Sequence, residues 1–87
     1  MTNYITFHTD PAHGWLEVNR VDLEILNIAD KISRFSYASG TKVFLEEDCD
    51  APHFIRAAES KGWTIETTEK FTNGESFIRR LPSYKEA

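Results

Sequence analysis

Two short stretches of this chain gather side chains able to do chemistry. The first, His8-Thr9-Asp10-Pro11-Ala12-His13-Gly14-Trp15-Leu16-Glu17, holds two imidazoles, two carboxylates and an indole. A surface Trp beside titratable groups suits a partner-binding hot spot, because Trp supplies a large apolar area at low entropy cost. His8, Asp10 and His13 are also a conceivable metal or acid–base set for a small hydrolase. Their spacing matches no strong zinc pattern, however, and a fourth ligand would have to come from elsewhere. The plainer alternative is that Trp15 packs beneath a helix or tail while the histidines and Asp10 make turn hydrogen bonds.

The second stretch is Glu46-Glu47-Asp48-Cys49-Asp50, with four carboxylates in five residues. Clustered carboxylates can attract a cation or present an acidic patch. They also suit a helix start: Asp50 can accept first-turn amides, and Pro52 lacks the donor that would otherwise be orphaned there. Cys49 sits between acids, which raise a thiol pKa, and is expected as a small buried apolar side chain. No P-loop, dinucleotide fingerprint, HExxH, GxSxG or CxxC occurs.

The elements that must position these residues read as ββ-α-ββ-α-ββ. Residues 4–9 and 14–18 flank Asp10-Pro11-Ala12-His13, a four-residue loop that sets Thr9 opposite Gly14. Ile5, Phe7, Leu16 and Val18 then share the core face, and Tyr4, Thr6, His8, Trp15 and Glu17 the opposite one. Asn19 can cap a helix whose stripe is Val21, Ile25, Ile28, Ala29 and Ile32. A second pair, 34–38 with 42–47, turns around Ser39-Gly40-Thr41. A three-residue loop there puts Phe35 and Tyr37 with Val43 and Leu45, and Arg34 opposite Glu46. The next helix carries Ala51, Phe54, Ile55 and Ala58 inward and ends at Gly62. Residues 63–71 and 76–81 are expected to pair around Asn73-Gly74, with Ile65 and Leu81 inside, Phe71 aligned with Phe77, Ile78 exposed and Glu69 opposite Arg79. Residues 82–87 read as a frayed tail.

The expected fold is therefore α+β: one domain over 1–87, a single antiparallel sheet with two helices on one face, and Phe7, Val18, Leu45 and Ile65 in its core. A chain of 87 residues with 40% hydrophobic and 28% charged residues can support one core. Its net charge of -4, with Lys and Arg scattered, argues against direct nucleic-acid binding. A lone cysteine, no apolar leader and no membrane-length apolar run make the cytoplasm the expected compartment.

The stretch from His8 to Val18, together with Phe44-Leu45-Glu46-Glu47-Asp48-Cys49-Asp50-Ala51, resembles a set of small uncharacterised proteins of proteobacteria and their phages. The resemblance carries no activity and no site residues. It implies a context in which compact accessory proteins of mobile elements bind a host protein.

The expected function is a non-enzymatic protein-binding module. Its contact residues are Tyr4, His8, His13, Trp15 and Glu17 on the first hairpin and Glu46, Glu47 and Asp48 at the acidic junction. No catalytic residue, metal ligand or cofactor is assigned. The competing classes are the hydrolase on His8, Asp10 and His13, and a structural protein that pairs with itself through an open sheet face or edge strand.

Overall fold

The structure, a computed structural model, describes residues 1–86. Strands β1 (Thr2–Thr9) and β2 (Gly14–Asn19) are followed by helix α1 (Arg20–Ile25), strands β3 (Tyr37–Ser39) and β4 (Lys42–Glu46), helix α2 (Ala51–Ser60) and strand β5 (Thr64–Phe71). Two single-turn 3-10 segments, Ala29–Lys31 and Phe77–Arg80, complete the chain. The strands form one sheet in the order β3-β4-β2-β1-β5.

The first hairpin has the expected register, with Thr9 opposite Gly14 and His8 opposite Trp15. Asp10 makes this turn rigid: its N–H donates to the His13 carbonyl at 2.9 Å, and its carboxylate accepts the amides of Ala12 and His13 at 3.0 Å. The inward face of β1, β2 and β4 then packs on both helices. Leu16, Val18, Val43 and Leu45 meet Leu23, Ile28 and Ile32 on one side and Ala51, Phe54 and Ala58 on the other, with Phe7 and Ile65 half-buried at the margin.

Helix α2 begins and ends as expected. Pro52 lies in its first turn, and Gly62 adopts the left-handed φ of 85°. Beyond the helix, Trp63 N–H reaches the Ala58 carbonyl and Gly62 N–H that of Glu59, a Schellman closure. Helix α1 is shorter than its apolar spacing suggests. Asn27 takes a φ of 60°, and the amides of Asn27 and Ile28 close onto Glu24 and Leu23, so the helix stops after six residues. The buried side chains are consequently Leu23, Ile28 and Ile32, while Val21 and Ile25 face solvent. Asn19 stands at the N-cap but uses its side chain to accept from Lys42 Nζ at 2.7 Å.

Three expectations about strands fail. The second hairpin turns through two residues, Gly40 and Thr41, with Gly40 at φ 60°, so Ser39 pairs with Lys42 and Tyr37 with Phe44. Ala38, not Tyr37, joins Val43 and Leu45 on the helix face. Phe35 is exposed, and Arg34 lies against its ring instead of opposite Glu46. The third hairpin does not exist: β5 runs parallel to β1, with all eight residues in register from Thr2↔Thr64 to Thr9↔Phe71, so the sheet is mixed. Helix α2 is the crossover that makes this possible, carrying the chain from β4 to the far edge in the same strand direction.

After Gly74 the chain crosses the face opposite the helices. Ser76 Oγ accepts from Ile78 N–H and starts the second 3-10 turn. Ile78, expected outside, is fully buried against Trp15 and Phe44, with Leu81 and Tyr37 beside them. Burying such a side chain is worth ~1.5–3 kcal/mol. The segment expected to fray is pinned: Ala38 N–H donates to the Pro82 carbonyl at 3.1 Å, Tyr84 N–H to the Ser36 carbonyl at 2.7 Å, and the Tyr84 hydroxyl to the Ala29 carbonyl. Ala87 lies outside the described residues. Among the described residues, no helix is long and apolar enough to cross a membrane.

Candidate functional site

The structure draws His8, Asp10 and His13 to three different partners. Asp10, its side chain almost wholly buried, accepts Arg79 Nε at 2.7 Å and Arg79 Nη2 at 3.0 Å, and also the Ser76 amide at 3.1 Å. The Arg79 guanidinium holds this carboxyl well below the usual carboxylate range, with help from the amides of Ser76, His13 and Ala12 and against partial desolvation. Arg79 also lies 5.3 Å from the centre of the Trp15 ring. One carboxylate thus fastens the first hairpin turn to the segment that covers the outer face.

His8 points to that face, as its parity requires, and donates from Nε2 to Glu17 Oε1 at 2.8 Å. Its ring stands edge-on to Phe44 and Phe77 at 5.7 and 5.8 Å. Glu17 lies 3.8 Å from Lys42 Nζ as well. Trp15 is only 2% exposed, so the free surface anchor expected of it is overturned. Indole and imidazole are covered from above by Phe77, Ile78 and Arg79, none of which adjoins them in sequence. Tyr4, by contrast, is 84% exposed.

At the β4–α2 junction the acids separate by role. Glu46 Oε1 accepts the amides of Asp48 and Cys49, both at 2.8 Å, and so holds the turn. Asp50 is the N-cap residue of α2, yet its side chain makes no cap bond. It is buried and accepts from Ser33 N–H at 3.1 Å, from Ser33 Oγ at 2.7 Å and from Ser36 Oγ, tying the loop before β3 to the helix start. Asp48 is exposed and forms no ion pair among the described residues. Cys49 is exposed, not buried as expected. Partial desolvation, the hydrogen bond and charge of Glu46, and the charges of Asp50 and Asp48 push its thiol pKa up, which leaves it a protonated, weak nucleophile at neutral pH.

These elements converge on one open cavity of about 270 Å³ at the end of the sheet. Trp15, Tyr37 and exposed Phe35 supply its apolar lining and Glu46 and Asp48 its acids, and His13, Cys49 and Arg79, the last paired with Asp10, complete it. Trp15 and Tyr37 meet edge-to-face at 6.3 Å, which fixes both rings. Of the residues expected from sequence, His13, Trp15, Glu46 and Asp48 meet here, whereas Tyr4, His8, Glu17 and Glu47 do not line this cavity. Phe35, Tyr37 and Arg79 were missed. A two-residue turn at Gly40-Thr41 would have turned Tyr37 to Trp15's face, but nothing local marks Arg79 as the partner of Asp10. His13, Glu46 and Glu47 each offer a ligand atom within 4.8 Å of the others; Glu46 Oε1 is taken by the turn amides, while its Oε2 lies 4.0 Å from His13 Nδ1.

Aromatic walls beside carboxylates favour a cationic group: the ring faces attract positive charge and the acids complete the field. Compared with protein-family models, curated proteins and solved structures, the chain has no match.

Proposed function

We propose that the chain is a non-enzymatic protein-binding module, and that its contact site is the aromatic–acidic cavity formed by Phe35, Tyr37, Trp15, Glu46 and Asp48. The cavity receives a basic side chain, lysine or arginine, projecting from the partner. The observation that carries this reading is the union of an exposed Phe35, a fixed Tyr37 ring and an unpaired Asp48 in one open pocket. A net charge of -4 gives the approach of a basic partner the right sign. Trp15 contributes as a support that fixes Tyr37, not as an inserted anchor. A mobile-element protein acting on a host protein fits the same surface, since its target is read through a side chain that many proteins expose.

The test is an NMR titration with short end-blocked peptides carrying one lysine or one arginine, with a glutamate peptide as control. The basic peptides should shift the ring resonances of Phe35 and Tyr37, and Asp48→Asn should weaken the effect at unchanged fold. Equal response to the acidic peptide, or shifts that avoid Phe35 and Tyr37, would refute the proposed site.

A further inference from the structure

We infer that the free edge of β5 pairs with the same edge of a second copy of this chain, antiparallel across a twofold axis at Thr68. The two edges of the sheet differ: β3 is bridged at Tyr37 by Ser83, whereas β5 ends the strand order with seven of its eight residues exposed, Ile65 excepted. The strand contains no proline, glycine or bulge to blunt it.

The backbone decides which groups face outward. Thr64 N–H donates to the Met1 carbonyl at 2.9 Å and Thr72 N–H to the Thr9 carbonyl at 2.8 Å, so the even-numbered residues bond to β1. Ile65, Thr67, Glu69 and Phe71 therefore direct their amides and carbonyls away from the sheet. With the twofold at Thr68, Ile65 exchanges hydrogen bonds with Phe71 of the second copy and Thr67 with Glu69. Glu66 stands opposite Lys70 in the closer, non-hydrogen-bonded positions, twice by symmetry. Neither Glu66 nor Lys70 has an ion-pair partner among the described residues.

Other registers are worse. Centring the axis on Thr67 sets Ile65 against Glu69, centring it on Glu66 or Glu69 opposes like carboxylates, centring it on Lys70 opposes ammoniums, and centring it on Ile65 or Phe71 leaves at most three strand residues of each copy paired. A shift by a single residue would oppose the helix face of one copy to the outer face of the other. Charge, apolar contact and hydrogen-bond direction thus select one alignment, and its occupant is the chain itself.

Sedimentation velocity over a concentration series tests this. The wild-type chain should self-associate reversibly to a dimer with a dissociation constant of roughly 1–100 µM, as expected for a small interface. Lys70→Glu and Glu66→Lys should each raise that constant by about tenfold or more, since each places like charges opposite one another at two symmetric positions. The double variant, Glu66→Lys with Lys70→Glu, should restore the dimer. Thr67→Pro, which removes an outward N–H not used by β1, should abolish it while circular dichroism stays native. A wild-type chain that remains monomeric throughout, or a double variant as weak as the single ones, would overturn the inference.

Discussion

The two faces of this sheet are covered by different means. On one, two helices bury a continuous apolar layer from Leu16 to Ala58. On the other, a 3-10 turn lays Ile78 over Trp15 and Phe44, and one buried carboxylate, Asp10, grips Arg79 to hold it there. On the helix face α2 follows its local apolar stripe, whereas α1 buries Leu23 and leaves Val21 and Ile25 to solvent. The outer face depends on contacts separated by more than sixty residues in the chain, as between Asp10 and Arg79. What looks in the sequence like a ligand-binding indole is the floor of a second, smaller core, and the site is formed at its margin.

Truncating the floor of each face separates their contributions. Trp15→Ala should cost ~3–5 kcal/mol, the range of a buried aromatic, measured by denaturant unfolding. A cost below ~1 kcal/mol would mean that the outer cover contributes little. Leu45→Ala on the helix face should cost ~2–5 kcal/mol, so the two faces should prove comparable. Asp50→Ala, which strips the acceptor from Ser33 and Ser36, should cost ~2–3 kcal/mol; a value near zero would show that water replaces the carboxylate freely. Tyr84→Phe should lose ~0.5–1.5 kcal/mol if the hydroxyl bond to Ala29 anchors the C-terminal segment. Because Asp10 titrates below its unfolded value, its contribution is complete above about pH 4 and is lost as pH falls further toward the folded pKa. Acid unfolding should therefore be steeper in the wild type than in Arg79→Gln; equal profiles would show that the ion pair does not hold the cover.

The legible parts of the fold were those dictated by neighbours in sequence. A four-residue Asp-Pro turn set the register of the first hairpin, and Pro52 and Gly62 bracketed α2. The illegible parts turned on one choice each. A loop of two residues instead of three reversed the faces of β3, and Asn27, able to adopt a left-handed φ, cut α1 short. Asn73-Gly74 gave a strong local hairpin signal, but β1 offered β5 a full ladder of eight residues. The freed 76–81 segment could then bury Ile78 on the outer face. Half of the candidate site was legible in the same sense: Glu46 and Asp48 stand out by composition, whereas Phe35 and Tyr37 reach it only once the β3 register is known.

The most direct test of the outer core is the emission of Trp15 in a Trp63→Phe background. Emission should be blue-shifted and protected from aqueous quenchers, and should move to the red with loss of protection when residues 75–87 are deleted from a chain that circular dichroism shows to be folded. Red-shifted, freely quenched emission in the full-length chain would contradict a covered Trp15.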